Sequence, residues 1–148
     1  MGDTAPLPLP PRADGATHDA AASRIGDWIE RLIAVGVEPR CELLLAGAGV
    51  AEAALAAARL VGPRARVVAV AATEREAAEL RGRAAASGAG QLEVVIGLDA
   101  AAALARPVPL ALLLVDPTGG DAGSDAALAR LEGALGRGVR ALALEAPR

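Results

Sequence analysis

Polar and apolar positions along this chain change period several times, and each change marks a boundary between elements. Ile25, Trp28, Ile29, Leu32 and Ile33 recur at i, i+3, i+4, i+7 and i+8, the stripe of an amphipathic helix. This helix is expected to start near Asp19, with Gly36 beyond its end and Pro39 shortly after. From Glu42 to Ala46 the pattern shortens to that of a strand, ending in Gly47-Ala48-Gly49, and Val50 to Val61 is helical again. Gly62-Pro63 breaks that helix, and Ala65 to Ala71 is a second apolar strand. Thr73 with Glu76 three residues later forms a capping box, opening a helix that runs to about Ala86. Ser87 to Gly90 turns the chain into a third strand, Gln91 to Gly97, followed by a short helix over Asp99 to Ala105. A fourth strand covers Val108 to Val115. Ser124 or Asp125 is expected to cap a last helix ending at Gly136 to Gly138, and Val139 to Leu144 is a fifth strand.

Strands with few polar residues, separated by helices, predict a parallel sheet covered on both faces. Right-handed crossovers then give a Rossmann-like α/β fold with strand order 3-2-1-4-5 over residues 18–148. Met1 to Thr17 is rich in proline and small residues and is expected to be a disordered arm. Strand 5 would form one edge of the sheet. Its apolar run, guarded only by Arg140, predicts a homodimer or heteromer through that edge.

Composition sharpens this picture. At 148 residues the chain has the length of one domain, able to bury roughly 70% of its unfolded surface. It is 53% apolar, yet it has no Phe or Tyr and a single Trp, so aliphatic residues and especially Ala must fill the core. A net charge of −3 and the absence of Lys give no electrostatic attraction to nucleic acid. The arginines are interleaved with acids, as on a solvated face. The single cysteine, Cys41, excludes an internal disulfide and suits a reducing cytoplasm. Met1 to Pro11 lacks the apolar run of a signal peptide, and Pro107 to Val115 is about half of the roughly 20 residues that a bilayer demands. The expectation is a cytoplasmic protein acting on a small molecule.

In a sheet of this order, ligands lie outside the carboxyl ends of strands 1 and 4, where the strand order reverses. Gly47-Ala48-Gly49 and Asp116 to Gly120, the most Gly-rich junctions, fall at that mouth. Gly47 and Gly49 permit a tight turn and close approach of a ligand, and the helix that follows offers free N–H groups. The dinucleotide pattern G-x-G-x-x-G has Glu52 at its last position, where a carboxylate would face the pyrophosphate. A Walker lysine is excluded, since there is no Lys.

Leu43 to Gly49, Ala54 to Leu60, Val61-Gly62-Pro63, Arg66 to Val70 and Val94-Val95-Ile96-Gly97 resemble class I S-adenosylmethionine (SAM) dependent methyltransferases over residues 36 to 148. The ending, with Leu114-Val115-Asp116 and Val139 to Glu145, is similar to FkbM-type members. The resemblance implies SAM as cofactor, cradled by Gly47, Ala48 and Gly49, with its ribose at Ala71 and Asp99 near the adenine. It places Asp116 at the methionine or substrate end, as a possible base. The departures are specific. The family's acid in strand 1 is Leu45 here, its third glycine is Ala51, and its ribose-gripping acid at the end of strand 2 is Ala71. Glu74, three residues on, is the carboxylate that would reach back. The FkbM Asp-x-Glu-Gly reads Asp116-Pro117-Thr118-Gly119, and the family's last two strands do not follow strand 5. Asp116, Asp121 and Asp125 suggest a Mg²⁺ set only weakly, since the accompanying Asn is missing, so no metal is expected. A degenerate module without catalysis, serving as a binding or assembly subunit, is the alternative.

Overall fold

The computed structural model describes residues 24–103, 108–116, 121–136 and 139–147. The expected arm over 1–17 and the helix start near Asp19 lie outside them. Helix α1 (residues 24–34) is followed by β1 (Leu43–Gly47), α2 (Val50–Val61), β2 (Val67–Ala71) and α3 (Glu74–Ala86). Then come β3 (Leu92–Ile96), α4 (Gly97–Ala102), β4 (Leu110–Val115), α5 (Asp121–Leu135) and β5 (Arg140–Glu145). The five strands are parallel in the order β3-β2-β1-β4-β5, as the crossover rule requires.

Side chains alternate between the two faces of the sheet. Leu43, Leu45, Val67, Ala69, Leu112 and Leu114 point to a first face, where they pack with Ile25, Trp28 and Leu32 of α1 and the alanines of α2. Leu44, Ala46, Val68, Val70 and Ala111 point to the second, where Ala101 of α4 and Leu131 of α5 meet them. With no Phe or Tyr available, Ala53, Ala54, Ala56 and Ala57 let α2 lie close to the sheet.

Helix α1 ends in two hydrogen bonds that satisfy its last carbonyls. Gly36 N–H donates to Ile33 (3.0 Å) and Val37 N–H to Leu32 (3.0 Å), the Schellman arrangement that the Gly36 stop predicts. Ile33 is 55% exposed and does not join the buried stripe. It sits about 80° around the helix from Ile25 at 3.6 residues per turn, on the margin of the apolar face. Helix α5 also departs from expectation. It begins at Asp121, so Ser124 and Asp125 lie inside it and do not cap it. Acidic residues are favourable throughout a first helical turn, so Asp121 can open the helix as readily as Asp125.

Each edge strand offers a carbonyl to an arginine. Arg81 Nη2 donates to Val94 of β3 (3.2 Å), and Arg31 Nη1 donates to Glu145 of β5 (3.1 Å). Among the described residues no helix is long and apolar enough to cross a membrane.

Candidate functional site

The carboxyl ends of β1, β2 and β4 meet at the point where strand order reverses, and local chemistry fixes each end. Gly47 closes β1 with φ +115°, a left-handed value that L residues rarely adopt. A Cβ there would run into the Leu114 carbonyl oxygen of β4, so only glycine fits. The same carbonyl accepts a hydrogen bond from Ala48 N–H (3.0 Å), tying the turn to β4. At Gly49 a Cβ would lie 3.1 Å from Cζ2 of Trp28, so the single aromatic ring of the chain props the turn from below. Trp28 is 2% exposed, a packing anchor as its helical spacing predicts.

Beyond β2 the capping box forms. Glu76 N–H donates to Thr73 Oγ1 (3.2 Å), while Glu76 Oε2 accepts from Ala72 N–H (2.9 Å), one residue before the cap. Glu76 thereby swings back over the end of β2. Glu52, in the first turn of α2, pairs with Arg24 of α1 (3.2 Å).

Two clefts open here. The first, of about 430 Å³, falls in the range of roughly 300–1,000 Å³ typical of small-molecule sites. It is bordered by Gly47, Val50, Ala71, Ala72 and Glu76 on the side of β1 and β2 and by Gly97, Leu98 and Leu131 on the side of α4 and α5, with Val70 and Leu113 of the sheet between them. The second, of about 350 Å³, lies between the Gly47–Ala51 turn and α3, where Glu76, Glu79 and Arg83 border it. Gly47, Val50, Ala71 and Glu76 border both.

Of the residues singled out in the sequence, Gly47 and Ala71 border both clefts, and Ala48 and Gly49 border the second. Ala71 is buried, at 1% exposure. Glu74, the first residue of α3, is exposed and borders neither cleft. Asp99 is the third residue of α4 and also exposed, while Gly97 and Leu98 beside it line the first cleft. Asp116 follows directly on β4 and is exposed. Sequence reasoning missed two charged residues of the first cleft, Glu76 and Arg130. Glu76 is conspicuous in the sequence as a cap, which does not show that it borders a cleft. Arg130 belongs to no motif. Among the described residues no three His, Cys, Asp or Glu side chains converge as a metal site requires.

No family model matches the chain, and no curated protein does. Solved structures match with high probability. A SAM-dependent methyltransferase from Aquifex aeolicus has a TM-score of 0.51 at 18% identity, covering 60% of this chain and 47% of that one. TrmN from Thermus thermophilus has a TM-score of 0.53 at 22% identity, covering 75% of this chain and 32% of its own. A methyltransferase from Geobacter sulfurreducens has a TM-score of 0.56 at 20% identity, covering 94% of this chain and 71% of that one. This chain therefore spans less than half the length of the first two. What is shared is the fold, the Rossmann-like arrangement of class I methyltransferases.

Proposed function

We propose that this domain binds SAM in the first cleft and serves methyl transfer to a small molecule. The observation that carries this reading is the cleft itself. One continuous space joins the Gly47 turn, the end of β2 at Ala71 and the start of α4 at Gly97-Leu98, at the switch point of a methyltransferase-type sheet. The residues fit the cofactor. Glycine at the turn leaves room for the methionine portion, Val70, Leu98 and Leu113 offer an apolar wall to the base, and Glu76 supplies a carboxylate for the ribose hydroxyls. We assign the ribose to Glu76 in preference to Glu74, because Glu76 borders the cleft and is already drawn back over Ala72.

When bound, SAM presents a methyl group on a sulfonium, and its transfer is an in-line displacement governed by alignment. In this reading Gly47, Ala48 and Gly49 position the methionine end, Asp99 lies on the adenine side, and Asp116 is the base at the acceptor end. The lone Cys41 suits a cytoplasmic setting. Beside β5, opposite β4, no strand pairs among the described residues, and we assign that edge to a homodimer or heteromer contact. One observation favours a second reading, a binding module without catalysis: Ala71 stands where the family places its ribose acid.

Calorimetric titration with SAM and S-adenosylhomocysteine (SAH) tests the proposal. Wild-type protein is expected to bind both, and Glu76→Gln to weaken SAH about 10- to 100-fold, the worth of charge-assisted hydrogen bonds of about 1.5–3 kcal/mol. Glu74→Gln should leave the affinity unchanged. Binding of neither molecule would refute the cofactor assignment, whereas binding without any methyl transfer would favour the non-catalytic module.

A further inference from the structure

The two edges of the sheet are guarded differently. In the parallel ladder of β4 and β5, Arg140 N–H donates to Pro109 (2.9 Å) and Ala146 N–H to Val115 (2.8 Å). Backbone groups alternate in direction along a strand, so Arg140, Leu142 and Leu144 turn theirs toward β4, while Ala141, Ala143 and Glu145 turn theirs outward. Arg31 occupies the last of these outward carbonyls, that of Glu145. Ala141 and Ala143 carry no such guard among the described residues, and Ala143 is exposed. On β3 the guard sits in the middle. Leu92 N–H donates to Ala89 in its own turn (3.1 Å) and so points away from β2, which turns the groups of Val94 outward as well. There Arg81 holds the Val94 carbonyl.

From this asymmetry we infer that β5 pairs antiparallel with β5 of a second copy of the chain, joining two sheets into one. The inference rests on the assignment of the β5 edge to a subunit contact, and it names the partner. Charge selects a second copy. β5 carries an exposed Arg140 at its start and an exposed Glu145 at its end, with the uncharged Ala141 to Leu144 between them. Antiparallel pairing about a twofold axis brings the basic start of each strand beside the acidic end of the other. A parallel arrangement of the same strands would instead set like charges side by side, which is unfavourable. Arg31 selects the register. Centring the pair on Ala143 would set the Glu145 carbonyl, already bonded to Arg31, opposite Ala141 of the second copy. Centring it on Leu142 pairs Arg140 to Leu144 with the same run and leaves Glu145 just outside. Ala141 of each copy then exchanges both backbone hydrogen bonds with Ala143 of the other. Leu142, half-buried against the first face, meets its own mate at about 4.5 Å between Cα atoms, the spacing of a non-hydrogen-bonded pair.

Sedimentation equilibrium of the full chain, from micromolar to millimolar concentration, is expected to show a reversible monomer–dimer equilibrium. Ala143→Pro removes an outward N–H, a change that a free edge tolerates and a paired one does not, and should weaken the dimer about tenfold or more. Glu145→Lys makes both ends of β5 basic and should weaken it severalfold, and adding Arg140→Glu should restore it. Circular dichroism and urea midpoints of each variant keep lost folding separate from lost association. In a Cys41→Ser background, Leu142→Cys should form a disulfide between copies under mild oxidation, because the expected Cα spacing suits one, and Ala143→Cys should not. Association that ignores both Ala143→Pro and the charge reversal would overturn the inference, as would cross-linking at Ala143→Cys in preference to Leu142→Cys. A monomer at every concentration would also overturn it, and amide exchange then separates its failure from that of the edge assignment. Fast exchange at Ala141 and Ala143 in the monomer would leave the edge open to a different protein, whereas protected amides there would remove both readings.

Discussion

The two faces of the sheet are built to different standards. On the first, three helices press Trp28, Leu32, Leu80 and the α2 alanines onto Leu43, Leu45, Val67 and Ala69, and the strands are closed off from water. On the second, among the described residues, α4 is a six-residue helix with Ala101 buried, and α5 brings Leu131 as its buried side chain. The remaining room is the first cleft, whose floor is made of Ala46, Val70 and Leu113. A face that is packed tightly fixes the strand ends, and a face that is packed thinly leaves space for a ligand beside them. Close packing and the candidate cleft are thus divided between opposite sides of one sheet.

The strongest test of this division removes the largest side chain on each face. Trp28→Ala empties the space under the Gly47–Gly49 turn and is expected to cost about 3–5 kcal/mol. Leu131, 1% exposed, faces a cleft that is already open. Its replacement by Ala is expected to cost only about 2 kcal/mol, the low end for Leu→Ala, because little closed cavity is created. Urea denaturation of the two variants decides the matter, and equal losses would mean that the second face is as well closed as the first.

The turn between the faces offers a finer test. Both glycines hold a positive φ, +115° at Gly47 and +71° at Gly49, so alanine is strained at either, but at Gly47 an added methyl also meets the Leu114 carbonyl, backbone that cannot step aside. At Gly49 it meets the edge of the Trp28 ring, which needs to yield by only a few tenths of an ångström. Gly47→Ala should therefore lose about 3 kcal/mol and Gly49→Ala about 1, both from urea midpoints. A reversed order would show that Trp28 is held more rigidly than the sheet it supports.

Most of the fold was legible because the strands are short apolar runs between clear breakers, and Val50–Val61 is bounded as predicted by Gly49 and Gly62. The site was only partly legible. Its glycines announce themselves, since Gly47 and Gly49 are demanded by geometry at the strand end. Glu76 was visible, but only as a cap, because a local motif does not say which cleft the capping side chain borders. Arg130 was invisible, because it lies on α5, about 60 residues from the β2 end that it shares a cleft with, and only the packing of α5 on the sheet joins them. The α5 start was misjudged for a similar reason: several residues before Ala126 satisfy the cap preference, and local chemistry does not choose among them.

The smallest effect concerns the amino-terminal rim of the second face. The same alternation that turns Leu43, Val67 and Leu92 toward the helices of the first face turns Glu42, Arg66 and Glu93 to the other side. There Arg66 Nε and Nη2 hold the two Glu93 oxygens at 2.8 and 3.1 Å, with Glu93 half exposed. The hydrogen bond to Glu93, with the nearby charge of Glu42, raises the Arg66 pKa beyond its usual value, so the guanidinium stays charged at any working pH. A charged row is tolerable only where no helix covers the strands, since buried pairs lose more in desolvation than they recover. Arg66 itself is 15% exposed, so Arg66→Gln is expected to cost about 1 kcal/mol, the upper end for a surface pair of good geometry. The loss should shrink further in 1 M salt, where the Debye length is about 3 Å. Urea denaturation at low and high sodium chloride measures both. A loss of several kcal/mol that ignores salt would show that the pair is sealed from solvent, and the second face would then be no thinner at its rim than the first.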